Sequence, residues 1–335
     1  MASRRSKSVL FACFGGGLGW LTHDPKHSGY AVTSNCITRF GRALPGLKEV
    51  VDLPGIASGY RVIKQIKHND VNVRICWNAT NSRVYRTETQ VARQFTRTNT
   101  EYFTIADNAS LSTGDIDFTY AAWVYMDSLP ATANIAGKWT TAGDLREWIL
   151  YYDNAAARFQ FGVSDTGTAE DATELADNLG APATATWYFI VVWHDATANT
   201  INIQVNDGTV DSQAYTAGLT DLTAAFNIGA ANAGSNTFDG RIGPSGFWKA
   251  VLTANERSLL YNNGVALNAS QLTAVGIPAP TSYWNANESS GNLIDGVGSN
   301  NLTDTNTVTT ANSNYSYWAL KETVNTARAR DVISI

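Results

Sequence analysis

Cysteine, histidine and charge are the sparse features of this 335-residue chain: three Cys, four His and 16% charged residues. Cys13, Cys36 and Cys76 are odd in number, and none has the close pair spacing of a zinc ligand set. That excludes a closed disulfide framework and leaves free thiols as the expectation, with one Cys36–Cys76 bridge as the open alternative. His23 and His27 are four apart, a spacing that shares one helix face, but Asp24, Pro25 and Gly29 argue against a helix there. His194 ends an apolar run beside Asp195 and reads as a structural residue. No apolar run reaches the ~18 residues that a membrane helix needs. Helix is scarce as well. The best candidate is 253–262, with Thr253 as N-cap, Glu256 three residues on and Gly264 just beyond its end as a C-cap.

What the chain does contain is Asn, Thr, Ser, Gly and Ala, with ten Trp and fourteen Tyr, a mixture suited to strands and polar turns. From 91 to 270 short β-like runs follow one another: 102–105, 117–126, 134–139, 147–152, 158–163, 187–193 and 201–205. Phe159, Phe161 and Val163 alternate with Arg158, Gln160 and Gly162, and Ile201, Ile203 and Val205 alternate with Asn202, Gln204 and Asn206. Period two marks half-buried strands. Asn206-Asp207-Gly208 supplies the positive-φ residues of a tight hairpin. Many short strands with regular turns predict an all-β fold, an antiparallel jelly-roll β-sandwich. Its core is expected from Phe118, Trp123, Phe159, Phe161, Phe189, Ile203 and Phe247.

The N-terminal third differs. Residues 1–97 hold 15 Lys/Arg against 5 Asp/Glu, whereas 98–335 hold 9 against 24. Such a split marks regions with different partners, and for the basic part an acidic protein surface is favoured over nucleic acid or membrane. Arg4, Arg5 and Lys7 before the stretch Val9 to Leu21 loosely resemble a secretion leader. Its four glycines and the lack of a small-x-small site favour a Gly-rich extended arm over 1–30. Short runs at 35–40, 47–53, 60–67, 71–77 and 83–86, with a turn at Asn81-Ser82, predict a small strand-rich anchor over 31–90. The sandwich then occupies 91–312, and 313–335 is a tail.

Several segments together resemble a known family. Asp117-Phe118-Thr119-Tyr120-Ala121-Ala122-Trp123-Val124, Ile135-Ala136-Gly137-Lys138-Trp139, Trp187-Tyr188-Phe189-Ile190-Val191-Val192, Phe238-Asp239-Gly240-Arg241-Ile242 and the closing Leu252-Thr253-Ala254-Asn255-Glu256 are similar in order and spacing to laminin-G-like domains of the concanavalin A-like lectin/glucanase kind. Ser282-Tyr283-Trp284 through Asp295 resembles the family's opening segment, here placed after the helix, and is expected to complete the same sandwich.

That resemblance implies glycan binding, for which Trp139, Trp148, Tyr151 and Tyr152 are the candidate platforms. It also implies a possible calcium site with Asp195 or Asp239, although Gly243-Pro244 stands where the family often has an Asp. No catalytic residue is assigned, because the paired carboxylates of the related glucanases are missing. Asp115 and Asp117 lack the flanking Glu, and Glu170, Asp171 and Glu174 read as a solvated loop. The favoured function is a non-enzymatic bacteriophage virion protein: a capsid decoration, head fibre or tail component. It would be a homo-oligomer docked on another virion subunit through Arg39, Arg42, Lys64 and Lys67. The alternatives are a secreted bacterial lectin-like adhesin and a glycoside hydrolase.

Overall fold

A computed structural model describes the backbone of 11–14, 17–23, 30–33, 61–68, 71–77, 81–231 and 234–325, and the side chains of 91–231, 234–262 and 264–311. The chain divides into two compact units, Glu88–Tyr317 and Met1–Thr87 with Trp318–Ile335. In the second of these, β1 (Phe11–Phe14), β2 (Gly17–His23) and β3 (Tyr30–Thr33) form an antiparallel sheet. Phe14 pairs with Gly17, so described parts of the stretch expected to be an extended arm are strand. β4 (Arg61–His68), β5 (Val71–Trp77) and β6 (Asn81–Phe95) form a meander. Ser82 pairs with Trp77, so Asn81 and Ser82 are already strand and not the turn expected there. The runs at 35–40 and 47–53, with Cys36, Arg39 and Arg42, lie outside the described residues.

The larger unit is a two-sheet antiparallel sandwich. One sheet has the order β12 (Ala172–Leu175), β11 (Arg158–Val163), β10 (Leu145–Asp153), β9 (Thr132–Thr140), β16 (Phe226–Ile228), β7 (Tyr102–Ile105) and β19 (Thr303–Thr305). The other runs β15 (Asp211–Ala214), β14 (Thr200–Val205), β13 (Trp187–Asp195), β8 (Phe118–Met126) and β17 (Gly240–Trp248). The far edge of β17 is shared. Gly240–Ile242 pair with β6, and Ser245–Phe247 pair with β18 (Ser282–Trp284). The register of β17 on β8 shifts between Ile242 and Ser245, around Gly243-Pro244, where a residue without an N–H is tolerated. The segment after the helix thus supplies β18 to one sheet and β19 to the other.

Alternation sorts the side chains. Phe118, Tyr120, Trp148, Phe161, Phe226, Phe247 and Trp284 meet between the sheets, with Phe118 5.5 Å from Trp148 and Phe226 stacked 5.3 Å from Trp284. Trp123 and Phe189 are buried, but on the opposite face of β8 and β13, beneath α1 (Ala254–Tyr261). The expected core therefore splits into two layers, because β8 and β13 are covered on both faces. Thr253 and Glu256 form the capping box. The left-handed C-cap is Asn262 (φ 51°) rather than Gly264, since a 3₁₀ turn over Asn262–Gly264 follows the helix. In the hairpin after β14, Asn206 (φ 53°) and Asp207 (φ 56°) take the positive-φ positions.

Arg93 fastens this arrangement. It is 1% exposed, donates to the carbonyls of Gly291 (2.9 Å) and Val308 (2.7 Å), and lies 4.8 Å over the Phe103 ring.

Candidate functional site

β10 reads Trp148-Ile149-Leu150-Tyr151-Tyr152, five large side chains in a row. Trp148, Leu150 and Tyr152 point into the sandwich, while Ile149 and Tyr151 point out. On β9 the register shifts so that Leu150 pairs with Ala136 but Tyr151 with Asn134, which puts Asn134, Gly137 and Trp139 on the outer face. There Trp139, Ile149 and Ala231 form a small apolar cluster of their own, with Tyr151 against it.

This cluster lines a cleft of about 120 Å³, bordered by Asn134, Tyr151, Glu170, Ser235 and Asn236. The loop carrying Ser235 and Asn236 is docked on β9. The Asn134 N–H donates to the Asn236 carbonyl (2.8 Å), and Asn134 Nδ2 donates to the Ser235 carbonyl (3.3 Å). Glu170 reaches the cleft from the segment before β12. Its Oε1 lies 2.8 Å from the Tyr151 hydroxyl and accepts from Thr173 Oγ1. The same Tyr151 hydroxyl lies 2.7 Å from Gln160 Oε1. Burial, and then the Glu170 charge, push the Tyr151 phenol well above its ordinary range. Gly162, opposite Ile149 on β11, makes room for this: a Cβ there would sit 2.4 Å from Glu170 Oε1. The arrangement offers two aromatic side chains, amides and one carboxylate in a recess, the composition of a polar-ligand site.

Of the four predicted platforms, the cleft gathers Trp139 and Tyr151. Trp148 and Tyr152 are core residues, 0% and 1% exposed, Trp148 lying stacked on Phe247. They are corrected for a simple reason: alternate residues of one strand cannot face the same way. Asp195 and Asp239 do not meet. Asp195 follows His194, which pairs with Phe118 at one end of β8, whereas the Asp239 carbonyl accepts from Asp127 beyond the other end. Eight strand steps separate those ends, roughly 25 Å. Asp195 Oδ1 accepts from the Ala198 N–H (2.7 Å) and Asp239 Oδ1 from the Arg97 N–H (3.3 Å). Asp195 and Asp239 thus stand apart, and among the described residues no group of three or more His, Cys, Asp or Glu is placed for a metal. Lys64 and Lys67 lie on β4, whose side chains are outside the description, as are Arg39 and Arg42.

His194 and Glu147 serve the fold. His194 Nδ1 lies 3.0 Å from the Ile116 carbonyl. Glu147, fully buried, lies 2.9 Å from Lys138 Nζ and accepts from the Leu222 N–H and the Thr113 hydroxyl. Burial pushes its carboxyl up to about 7, with Lys138 opposing that rise. Reading the sequence missed Glu170, Asn134 and Asn236. The usable signal was Gly162, a glycine inside an alternating strand, which marks a close approach from another segment.

Residues 97–256 match the family model Laminin_G_3, the concanavalin A-like lectin/glucanases superfamily. Over that stretch, just under half of the chain, the sequence is similar to domains of that superfamily. A crystal structure from Bacteroides ovatus, of a protein to which carbohydrate binding is attributed, is similar to the chain with a TM-score of 0.52 at 17% identity, over 75% of this chain and 72% of that one. A native heptameric SAP-like pentraxin from Limulus polyphemus gives 0.41 at 11%, over 52% and 82%. The CBM40 of a Ruminococcus gnavus IT-sialidase, bound to α2,3 sialyllactose, gives 0.38 at 13%, over 49% and 92%. At 17% identity the likeness to the Bacteroides ovatus protein is one of fold. No curated protein matches the chain. The laminin-G-type domain thus spans both sheets and the outer-face cleft.

Proposed function

We propose that the laminin-G-type domain is a non-catalytic glycan-binding module and that the cleft beside Trp139 and Tyr151 is its binding site. The observation that carries this is the convergence of two aromatic side chains with Asn134, Glu170 and Asn236 on the outer face of one sheet. Aromatic faces take the C–H surfaces of a sugar, and amide and carboxylate groups take its hydroxyls. Glycoside hydrolysis needs two carboxyls flanking one bond, and Glu170 is the single carboxyl in the lining. Glu147 is held inside by Lys138, and Glu174 pairs with Phe161, an inward position. The full-length chain should bind glycans on an array. Tyr151→Ala should lose at least about tenfold in affinity, while Lys249→Ala, remote on β17's connection to the helix, should not. Equal binding by both variants would sink the reading.

The setting we propose is a bacteriophage particle, with the domain displayed by a basic anchor docked on an acidic capsid or tail subunit. The charge division between 1–97 and 98–335, and the compact unit formed by Met1–Thr87 with Trp318–Ile335, favour it over a secreted adhesin. Full-length protein should re-occupy particles stripped of it, more weakly as salt rises. Protein lacking 1–87 should fail to do so. Equal occupancy by both forms would refute the anchor.

A further inference from the structure

The cleft is one-sided in charge and in hydrogen bonding. Among the ten described lining residues, Glu170 is the one with a formal charge, and none is Lys or Arg. Arg146 pairs with Trp139 in the strand register, but its guanidinium is taken by the carbonyls of Gly167 (2.8 Å) and Thr168 (2.6 Å) and by Asp144 (3.1 Å). Arg97, behind the lining residue Thr132, is likewise taken by the Thr132 (2.8 Å) and Thr237 carbonyls, so a uronate or sialate carboxylate entering here would meet a like charge with no free cation among the described lining residues to receive it.

Around the Tyr151 hydroxyl acceptors outnumber donors. The Tyr151 hydroxyl has one proton and two acceptors in reach, Gln160 Oε1 and Glu170 Oε1. Thr173 and Tyr151 both address Glu170 through Oε1, and Oε2 receives no hydrogen bond among the described residues. A ligand rich in hydroxyl donors completes this set, and one that brings further acceptors does not. The volume, about 120 Å³, is well below the ~300 Å³ at which drug-sized pockets begin. It admits one ring.

We infer that the cleft takes a single uncharged hexopyranose, that it rejects anionic sugars, and that Glu170, seated over Gly162, sets this choice. The inference rests on the glycan-binding reading above.

The test is an NMR titration of the ¹⁵N-labelled full-length chain, following the Trp139 indole signal. The probes are the methyl glycosides of glucose, galactose, mannose, N-acetylglucosamine, glucuronic acid and N-acetylneuraminic acid. At least one neutral glycoside should shift the signal, and neither anionic one should at the same concentration. Glu170→Gln should weaken the neutral ligand about tenfold, and Glu170→Lys should admit an anionic one. Gly162→Ala, whose methyl displaces the Glu170 carboxylate, should weaken the neutral ligand too, the rest of the spectrum reporting that the fold is kept. An anionic glycoside bound as tightly as a neutral one overturns the charge selection and leaves glycan binding standing. Unchanged affinity in Glu170→Gln overturns the role of that residue. If no probe moves Trp139, both readings fall.

Discussion

Lys138→Met should be among the most damaging single changes in the domain. Lys138 is fully buried on β9, with Nζ 2.9 Å from Glu147 Oε1, 2.6 Å from Asp107 Oδ1 and 3.3 Å from the Leu222 carbonyl. At 2.9 Å the pairwise attraction is ~6 kcal/mol in an effective dielectric of ~20. The desolvation of both ions cancels much of it, yet removing one partner leaves the other charge stranded, at a cost of roughly 3–5 kcal/mol. The cost should depend on pH. The Glu147 carboxyl already sits at about 7 in the fold, against an ordinary 4.5, and it rises further once Lys138 is gone. A raised carboxyl pKa means that the folded state keeps a proton that the unfolded chain has released. Stability is then full below the unfolded value and is lost as pH rises through the folded one. Urea denaturation of the full-length chain should show a larger loss at pH 8.5 than at pH 5. Adding Glu147→Gln, which keeps an acceptor for the Leu222 N–H, should recover at least half of the loss at pH 8.5. A loss under ~1 kcal/mol there, or equal losses at both pH values, would refute the account.

Two further outcomes concern packing and turns. Trp123→Ala should cost about 3–5 kcal/mol in urea denaturation, because the indole lies 5.1 Å from Phe189 and is stacked 5.9 Å from Tyr261 under α1; a loss below about 1 kcal/mol would show that this layer is not packed. Asp295→Ala removes the carboxylate that accepts the N–H groups of Tyr283, Val297, Gly298 and Asn300. With ~1.5–3 kcal/mol per charged hydrogen bond as the guide, thermal denaturation should register a loss of at least about 3 kcal/mol, and a melting curve like the wild type's would exclude this turn as a structural anchor.

The strands were legible where one face is apolar and the other polar. Phe159, Phe161 and Val163, and Ile201, Ile203 and Val205, face the core as their alternation requires. Parity was hidden where every position is large. In Trp148 to Tyr152 no polar residue marks the solvent side, so Trp148 and Tyr152 could not be told from Tyr151. Trp123 and Phe189 were legible as buried but not as lying under a helix, since a strand covered on both faces carries no period-two signal. The outer-face position of Asn134 and Trp139 depends on register shifts along β9 and β10, which composition does not announce. Glu170 looked like a loop carboxylate because two of the residues that position it, Tyr151 and Gly162, lie on other strands, β10 and β11.

The placement of β18 and β19 bears on how the domain is made. Arg93 binds the Val308 carbonyl 215 positions further on, and β7 has its outer edge closed by β19. A ribosome adding ~5–20 residues per second needs roughly 10–40 s to cover that distance. During that interval Tyr102–Ile105 can have no native partner from 303–305, and an unpaired edge invites contact with other chains. Closure of this edge therefore waits until 303–305 have been made, long after β7. Premature termination anywhere before about residue 300 should yield aggregating fragments rather than a smaller soluble domain.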